Sequence, residues 1–262
     1  MSDYQYIEID LKDQTRVITI NREEVYNALN TQAKLEIVKA IREANKNDEV
    51  KSIVLTAKGK AFCTGQDLND RSVQAGEAPV DLGNTLETEW NPLVQSIRSS
   101  KKIVVGAING VSAGAGLSVA LACDLIYAKS GAKFISGFSK LGLAPDAGSS
   151  NTFLAALGAK KALEFFLFNE ALTSEQLKEV GLVNEVCEDP FIEALEACEK
   201  INEMAPKCVE LIKTNLQYAA DNTFIDSLNN ETYVQRFLGN SNDYKEGLNA
   251  FFEKRKPNFK GN

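Results

Sequence analysis

Apolar and polar residues alternate along IEIDL and RVITI near the start of the chain, with Lys12, Asp13 and Gln14 between the two runs. Period-two alternation on either side of a short polar break predicts a β-hairpin. From Thr31 the period changes. Leu35, Val38 and Ile41 recur at helical spacing, and SIVLTA follows as a short apolar run of the buried-strand type. Strand, helix and strand in that order make a βαβ unit. The scheme returns with an apolar face at Leu93, Val94 and Ile97, then KIVVGAING as a strand, the small-residue segment AGAGLSVALA, and DLIYA and KFISG as further strands. Strands alternating with helices predict an α/β protein with helices flanking a mainly parallel sheet.

Residues 71–85 are polar, Gly-containing and aperiodic, which predicts a surface loop beside whatever site the preceding residues form. Thr173 with Gln176 three places later is a capping box for a helix over EQLKEV, and Gly181 is its expected stop. Beyond about Cys198 strand signals cease, and residues 208–220, 223–238 and 243–254 read as helices. The chain thus divides into a core over residues 1–200 and a helical region over residues 201–262. A helical tail of that size is small for an independent domain, so it is expected to pack on the core or on a neighbouring subunit in an oligomer.

Composition narrows the chemistry. A chain of 262 residues, 44% hydrophobic and 25% charged, is of globular type, and fibrous or wholly disordered classes are excluded. It has no histidine, which removes Ser-His-Asp and Cys-His catalysis and every imidazole metal site. Acid–base work falls to carboxylates, Lys, Tyr or Cys. The net charge of −7 argues against general affinity for nucleic acid or an anionic membrane. Cys63, Cys123, Cys187, Cys198 and Cys208 have no C-x-x-C pair, so free thiols are expected rather than a disulfide framework or zinc cage. No run reaches the roughly 18 apolar residues of a membrane span. The acidic N-terminal dozen lacks a signal-like apolar run, and a cytoplasmic location is expected.

Three segments carry candidate chemistry. Gly110-Val-Ser112-Ala-Gly114 matches the G-x-S-x-G elbow, but without an imidazole to take its proton Ser112 is a weak nucleophile. The small residues Ser112 to Gly116 read as a helix start whose unpaired N–H groups suit an anion or a developing oxyanion; the same residues also suit close packing of helix on sheet. The segment AFCTGQDL, residues 61–68, reads as a loop after the strand SIVLTA, with Gly65 at positive φ. In FSKLGLAPDAG, residues 138–148, Asp146 is the single carboxylate among apolar and small neighbours. That setting suits a general base, and Pro145-Asp146 equally suits a turn and helix cap.

Taken together, NREEVYNAL, AFCTGQDL, AINGVSAGAGLSVALACDLIYA, FSKLGLAPDAG, LTSEQLKEVGLVNEV and EGLNAFFEKRKPNFKG resemble, in order and along the whole chain, the enoyl-CoA hydratase/isomerase, or crotonase, superfamily. The resemblance implies an α/β crotonase-like spiral of ββα turns with a C-terminal helical trimerisation region, assembled as a homotrimer or a dimer of trimers. It implies an acyl-CoA thioester as substrate, with CoA part of that substrate, and no metal, flavin or nicotinamide cofactor. Two backbone N–H groups of such proteins hold the thioester oxygen while a proton leaves the adjacent carbon, and they fall here on Gln66 and Ala115.

Hydratases of this superfamily carry two Glu residues, at positions that hold Ser118 and Phe138 here. Asp146 falls where one group of Δ3,Δ2-enoyl-CoA isomerases has its single catalytic carboxylate, which implies an isomerase with Asp146 as the proton carrier and Phe138 and Leu143 in its apolar wall. CTGQDLNDR, DLGNTLETEWNPL and FSKLGLAPD further resemble the ring-epoxide isomerases of phenylacetate degradation, which also have Asp at this place; Ser149 departs from a Gly common in the superfamily. For the substrate, the resemblance points to Val25, Tyr26, Asp67, Leu68 and Gly114. Lys58, Lys60, Lys254, Arg255 and Lys256 are candidate phosphate partners or solvated surface charges.

Overall fold

The computed structural model describes residues 4–71 and 81–262. The hairpin of β1 (Ile7–Lys12) and β2 (Thr15–Ile20) is antiparallel and turns through Asp13 at φ 52°. Helix α1 (Thr31–Lys46) then crosses to β3 (Ser52–Ala57), parallel to β2, completing the expected βαβ unit. Strands β4 (Ala61–Cys63), β5 (Ile103–Ile108), β6 (Val111–Ala113), β7 (Leu125–Lys129) and β8 (Lys133–Ile135) follow along the chain, with β9 (Leu172–Thr173) and β10 (Glu185–Cys187) after them. They divide between two sheets. One has the order β1-β2-β3-β5-β7-β10 and the other β4-β6-β8-β9.

Strands β3, β5 and β7 of the first sheet each hand the chain to a short strand of the second, β4, β6 and β8, and helical segments follow. After β4 come α2 (Leu82–Thr85), a π-helical turn (Leu86–Trp90) and α3 (Asn91–Arg98). After β6 comes α4 (Ala115–Ala122), and after β8 comes α5 (Ser149–Phe168), kinked at Gly158. This is a spiral of ββα turns. Then α6 (Ser174–Glu179), with the expected Thr173/Gln176 capping box, and α7 (Pro190–Asn202) lead to α8 (Pro206–Asp221), α9 (Phe224–Leu238) and α10 (Asn242–Glu253).

The apolar strands are continuous because both faces are buried. Ile18, Ile53, Leu55 and Val104 join a cluster with Ile37 and Ile41 of α1, while Val17, Val54 and Val105 pack on Ala194 and Cys198 of α7. Several expectations are corrected. Leu35 is 50% exposed; the inner face of α1 runs through Ala33, Ile37, Ala40, Ile41 and Ala44. Residues 61–63 and 111–113, read as a loop and a helix start, are strands that pair with each other, and the helix begins only at Ala115. Of the surface loop expected over residues 71–85, residues 72–80 lie outside the described residues and Leu82–Thr85 is helical. Helices α5 and α7 and strands β9 and β10 add to the expected elements; α7 starts at an Asp189 N-cap with Pro190 at its first position. Among the described residues no helix is long and apolar enough to cross a membrane.

Candidate active site

The parallel strands β4, β6 and β8 lie side by side, so the segments that leave their C-terminal ends emerge together. These segments carry Gly65-Gln66, Gly114-Ala115 and Gly137-Phe138. They enclose a cavity of about 380 Å³, and Gln66, Leu68, Gly114, Ala115, Phe138, Leu143 and Asp146 all line it. Trp90 and three leucines of the α2 to α3 region and the 138–146 segment, Leu82, Leu86 and Leu141, complete an apolar wall. Among the described lining residues Asp146 is the single ionisable side chain.

The backbone aims two N–H groups into this space. Leu29 bridges to Gln66 in parallel, its N–H donating to the Gly65 carbonyl (2.7 Å) and its carbonyl accepting from the Asp67 N–H (3.1 Å). Neighbouring peptides of an extended strand point in opposite directions, so the Gln66 N–H faces away from Leu29. Ala115 opens α4, and the first N–H groups of a helix have no intrahelical acceptor. Neither N–H donates to a protein acceptor among the described residues. The two are neighbours, since a Cβ on Gly65 would lie 3.3 Å from the Ala115 nitrogen and 3.0 Å from the Ala113 carbonyl oxygen. Gly65, at φ 90°, allows both the turn and the approach.

Asp146 ends the 138–146 segment, just before Ala147 at φ 49° and Gly148 at φ 88° admit the chain to α5. The N-cap residue of that helix is Gly148, which has no side chain to cap it. The Asp146 carbonyl oxygen is held by Ser118 Oγ at 3.0 Å, Ser149 Oγ at 2.9 Å and the Ser149 N–H at 3.0 Å. The residue is half-buried, with Oδ1 shielded from solvent. Ser118 and Phe138 thus supply no carboxylate: Ser118 braces Asp146 and Phe138 is part of the wall.

The remaining candidates sit differently. Val25 ends a 3-10 turn and Tyr26 follows at φ 54°, largely exposed; the Tyr26 carbonyl accepts from Thr64 Oγ1 (3.1 Å), and Thr64 lines the cavity. A second hollow of about 250 Å³ beside it brings Tyr26 to Lys58 and Lys60, along with Glu23 and Glu24. The Asp67 carboxylate turns inward to Arg22 (2.8 Å) and the Asn69 N–H (3.0 Å). Burial opposes its charge, yet the Arg22 guanidinium and Asn69 hold it below the usual carboxylate range. Lys58 pairs with Glu8, Arg255 with Glu246 and Glu253, and Lys256 with Glu203. Ser112 is fully buried in the middle of β6, which accounts for the elbow motif without nucleophilic chemistry. Burial pushes the Cys63 thiol up to about 12.

Sequence reasoning missed one feature behind Gln66. Lys34, 0% exposed, donates to Gln66 Oε1 (2.8 Å), pairs with Glu89 and lies 4.6 Å from the centre of the Trp90 ring. A lysine on a helix gives no local sign that it is buried.

Comparison with known proteins shows the family to which the chain belongs. Residues 11–262 match the enoyl-CoA hydratase/isomerase family. The 1,2-epoxyphenylacetyl-CoA isomerase of Escherichia coli strain K12 is 37% identical over 247 residues, which is 93% of this chain and 94% of that one. A probable enoyl-CoA hydratase of Rhodobacter capsulatus is 35% identical over 260 residues, 98% and 99% of the two chains. The crystal structure of an enoyl-CoA hydratase from Polaromonas sp. JS666 superposes with a TM-score of 0.91 at 32% identity, covering 97% of this chain and 99% of that one. The chain belongs to the enoyl-CoA hydratase/isomerase family.

Proposed function

We propose that this protein is an acyl-CoA isomerase that moves a double bond from Δ3 to Δ2, or rearranges a ring-epoxide acyl-CoA, through an enolate held in the cavity. The observation that carries the reading is the presence of one ionisable side chain, Asp146, among the described residues of a cavity that also presents the Gln66 and Ala115 N–H groups. The two N–H groups receive the thioester oxygen, whose charge grows as the α-proton leaves; such preorganised donors typically contribute about 2.7–4 kcal/mol each. Asp146 takes the α-proton and, as the acid so formed, returns it to C4 of the dienolate, so one carboxylate is enough for a 1,3 shift. Phe138, Leu143 and Trp90 keep water from adding.

The E. coli isomerase relative supports the ring-epoxide form of this reading, and the hydratase relative supports addition of water instead. With Ser118 and Phe138 at the places where the two Glu residues of hydratases would stand, no side chain of the described lining is suited to activate water beside Asp146, which favours isomerisation. The exposed apolar side chains Leu216, Phe224, Ile225, Tyr233, Phe251 and Phe252 on α8 to α10 support pairing of the helical tail with further copies of the chain.

The test is to mix the protein with a 3-enoyl-CoA, follow the ultraviolet absorbance of the conjugated 2-enoyl thioester, and weigh the product. Conjugation without added water, reduced roughly 10²–10⁴-fold in Asp146→Asn, is expected. A product heavier by one water, or equal rates in both proteins, overturns the reading.

A further inference from the structure

The side chain of Gln66 is held at both ends. Its Oε1 accepts from Lys34 Nζ (2.8 Å) and from the indole N–H of Trp90 (3.1 Å), which uses both lone pairs of the amide oxygen, and its Nε2 donates to the Asp67 carbonyl (3.1 Å). Lys34 comes from α1 and is completely buried; Glu89, in the π-helical turn, pairs with it and is itself held by Thr31 Oγ1 (3.2 Å). A buried ion pair seldom adds stability over apolar side chains of similar size, because desolvation offsets the attraction. The amine end of this pair is spent on Gln66, whose peptide N–H faces the cavity.

We infer that Lys34 is a positioning residue for the oxyanion site: the Lys34–Glu89 pair, with Trp90, fixes the Gln66 side chain and so the direction of the Gln66 N–H. This inference rests on the oxyanion role proposed for that N–H. The bridge to Leu29 restrains the peptide on one side, and the Lys34 contact restrains it through the side chain on the other. Small departures from a productive donor direction are costly to a reaction that stabilises charge at one atom. Trp90 both lines the cavity and donates to the same oxygen, so the acyl group packs against part of the clamp.

The test reads the thioester carbonyl directly and needs no turnover. A saturated acyl-CoA, hexanoyl-CoA labelled with ¹³C at the carbonyl, is bound to the protein and its carbonyl stretch recorded by isotope-edited infrared difference spectroscopy. Wild type is expected to lower the frequency. Gln66→Met keeps the peptide N–H, removes the acceptor from Lys34 and sits at a half-buried position, so it tests the clamp without disturbing the ion pair. Lys34→Met together with Glu89→Leu removes the pair as a unit. In both variants the frequency shift is expected to shrink and broaden, α-proton exchange with deuterated solvent to slow by about tenfold at saturation, and the dissociation constant to change by less than about threefold. Combining all three substitutions is expected to add little, because the pair acts through Gln66. A wild-type shift retained in full by Gln66→Met overturns the inference and leaves the proposed function standing. A wild type that binds the ligand with no shift overturns the oxyanion site and the inference with it.

Discussion

Ser118 Oγ donates a 3.0 Å hydrogen bond to the carbonyl oxygen of Asp146, and Ser118 lies one helical turn after Ala115 on α4. One short, wholly buried helix therefore sets both the Ala115 N–H and the backbone from which the Asp146 carboxylate projects. Ser149, at the first position of α5, binds the same oxygen from the other side. The placement of the proposed base relative to the proposed oxyanion donors thus depends on two serines that do not line the cavity.

Ser118→Ala and Ser149→Ala are each expected to lower kcat by roughly 3–10-fold while changing KM less than about twofold, since they disturb the aim of the proposed base Asp146 rather than the cavity wall. Each is expected to cost about 1 kcal/mol of stability. The double variant leaves the Ser149 N–H as the remaining bond recorded to that carbonyl, and its effect is expected to exceed the sum of the singles because both act on one acceptor. Steady-state kinetics and urea unfolding of the four proteins measure this.

Two glycines of positive or crowded backbone separate packing from strain. A Cβ on Gly116 would lie 2.3 Å from the Cys63 carbonyl oxygen, so α4 approaches β4 only because that residue has no side chain. At Gly131, φ is 69° and no atom lies within 4 Å of the added Cβ. Gly131→Ala is expected to cost about 1 kcal/mol from backbone conformation alone, and Gly116→Ala about 2–4 kcal/mol, with loss of activity as Ala115 moves away from Gln66. Thermal unfolding compares them, and equal losses would show that the helix can shift freely.

What the sequence made legible was local or continuous. The Thr173/Gln176 box lies within one turn, and the runs that form β3 and β5 are mostly apolar because both faces are covered. Strands β4 and β6 escaped because each is three residues long and is defined by pairing with the other, some fifty positions away in the chain. Leu35 misled because apolar spacing marks a face without saying whether Ala33 and Ile37 or Leu35 point inward. Gln66, Ala115, Phe138 and Asp146, singled out from their motifs, share one cavity although they lie up to 80 positions apart in the chain. Lys34 was not singled out, because its partner Gln66 lies 32 residues along the chain.

The Arg22–Asp67 pair tests how far the loop depends on a buried charge. Both side chains are about 8% exposed, and Arg22 also donates to the Ala28 carbonyl. Asp67→Asn leaves the guanidinium buried without its counter-charge and is expected to cost about 3–5 kcal/mol at neutral pH. Asp67 titrates below the usual carboxylate range in the folded chain, so its contribution is present above that range and is lost as the pH falls through its folded value. The difference between wild type and variant is therefore expected to narrow in acid, as urea unfolding across a series of pH values would record; a constant difference would mean that the charge of Asp67 does not matter.

A second buried pair ties the helical tail to the core, and its pH dependence has the opposite sign. Lys213 of α8 reaches Asp124 Oδ2 (2.7 Å) and the Ile97 carbonyl (3.0 Å), while Asp124 also accepts from the Val104 N–H (2.8 Å). Burial raises the Asp124 pKa and lowers that of Lys213, in each case favouring the neutral form. Lys213→Met removes the partner, and at neutral pH it is expected to cost about 3–5 kcal/mol. With Lys213 gone, only the Val104 N–H and the more distant charge of Arg98 oppose the burial of Asp124, so the folded chain holds a proton there that the unfolded chain releases, and stability falls as the pH rises through the carboxylate range and above it. The variant is thus expected to lie closest to wild type near pH 5 and furthest above pH 7. Adding Asp124→Asn keeps an acceptor for Val104 and abolishes this titration, so the double variant is expected to recover part of the loss and to show no such slope. If Lys213→Met alone shows no pH slope relative to wild type, water reaches Asp124 and α8 is held by its apolar contacts instead.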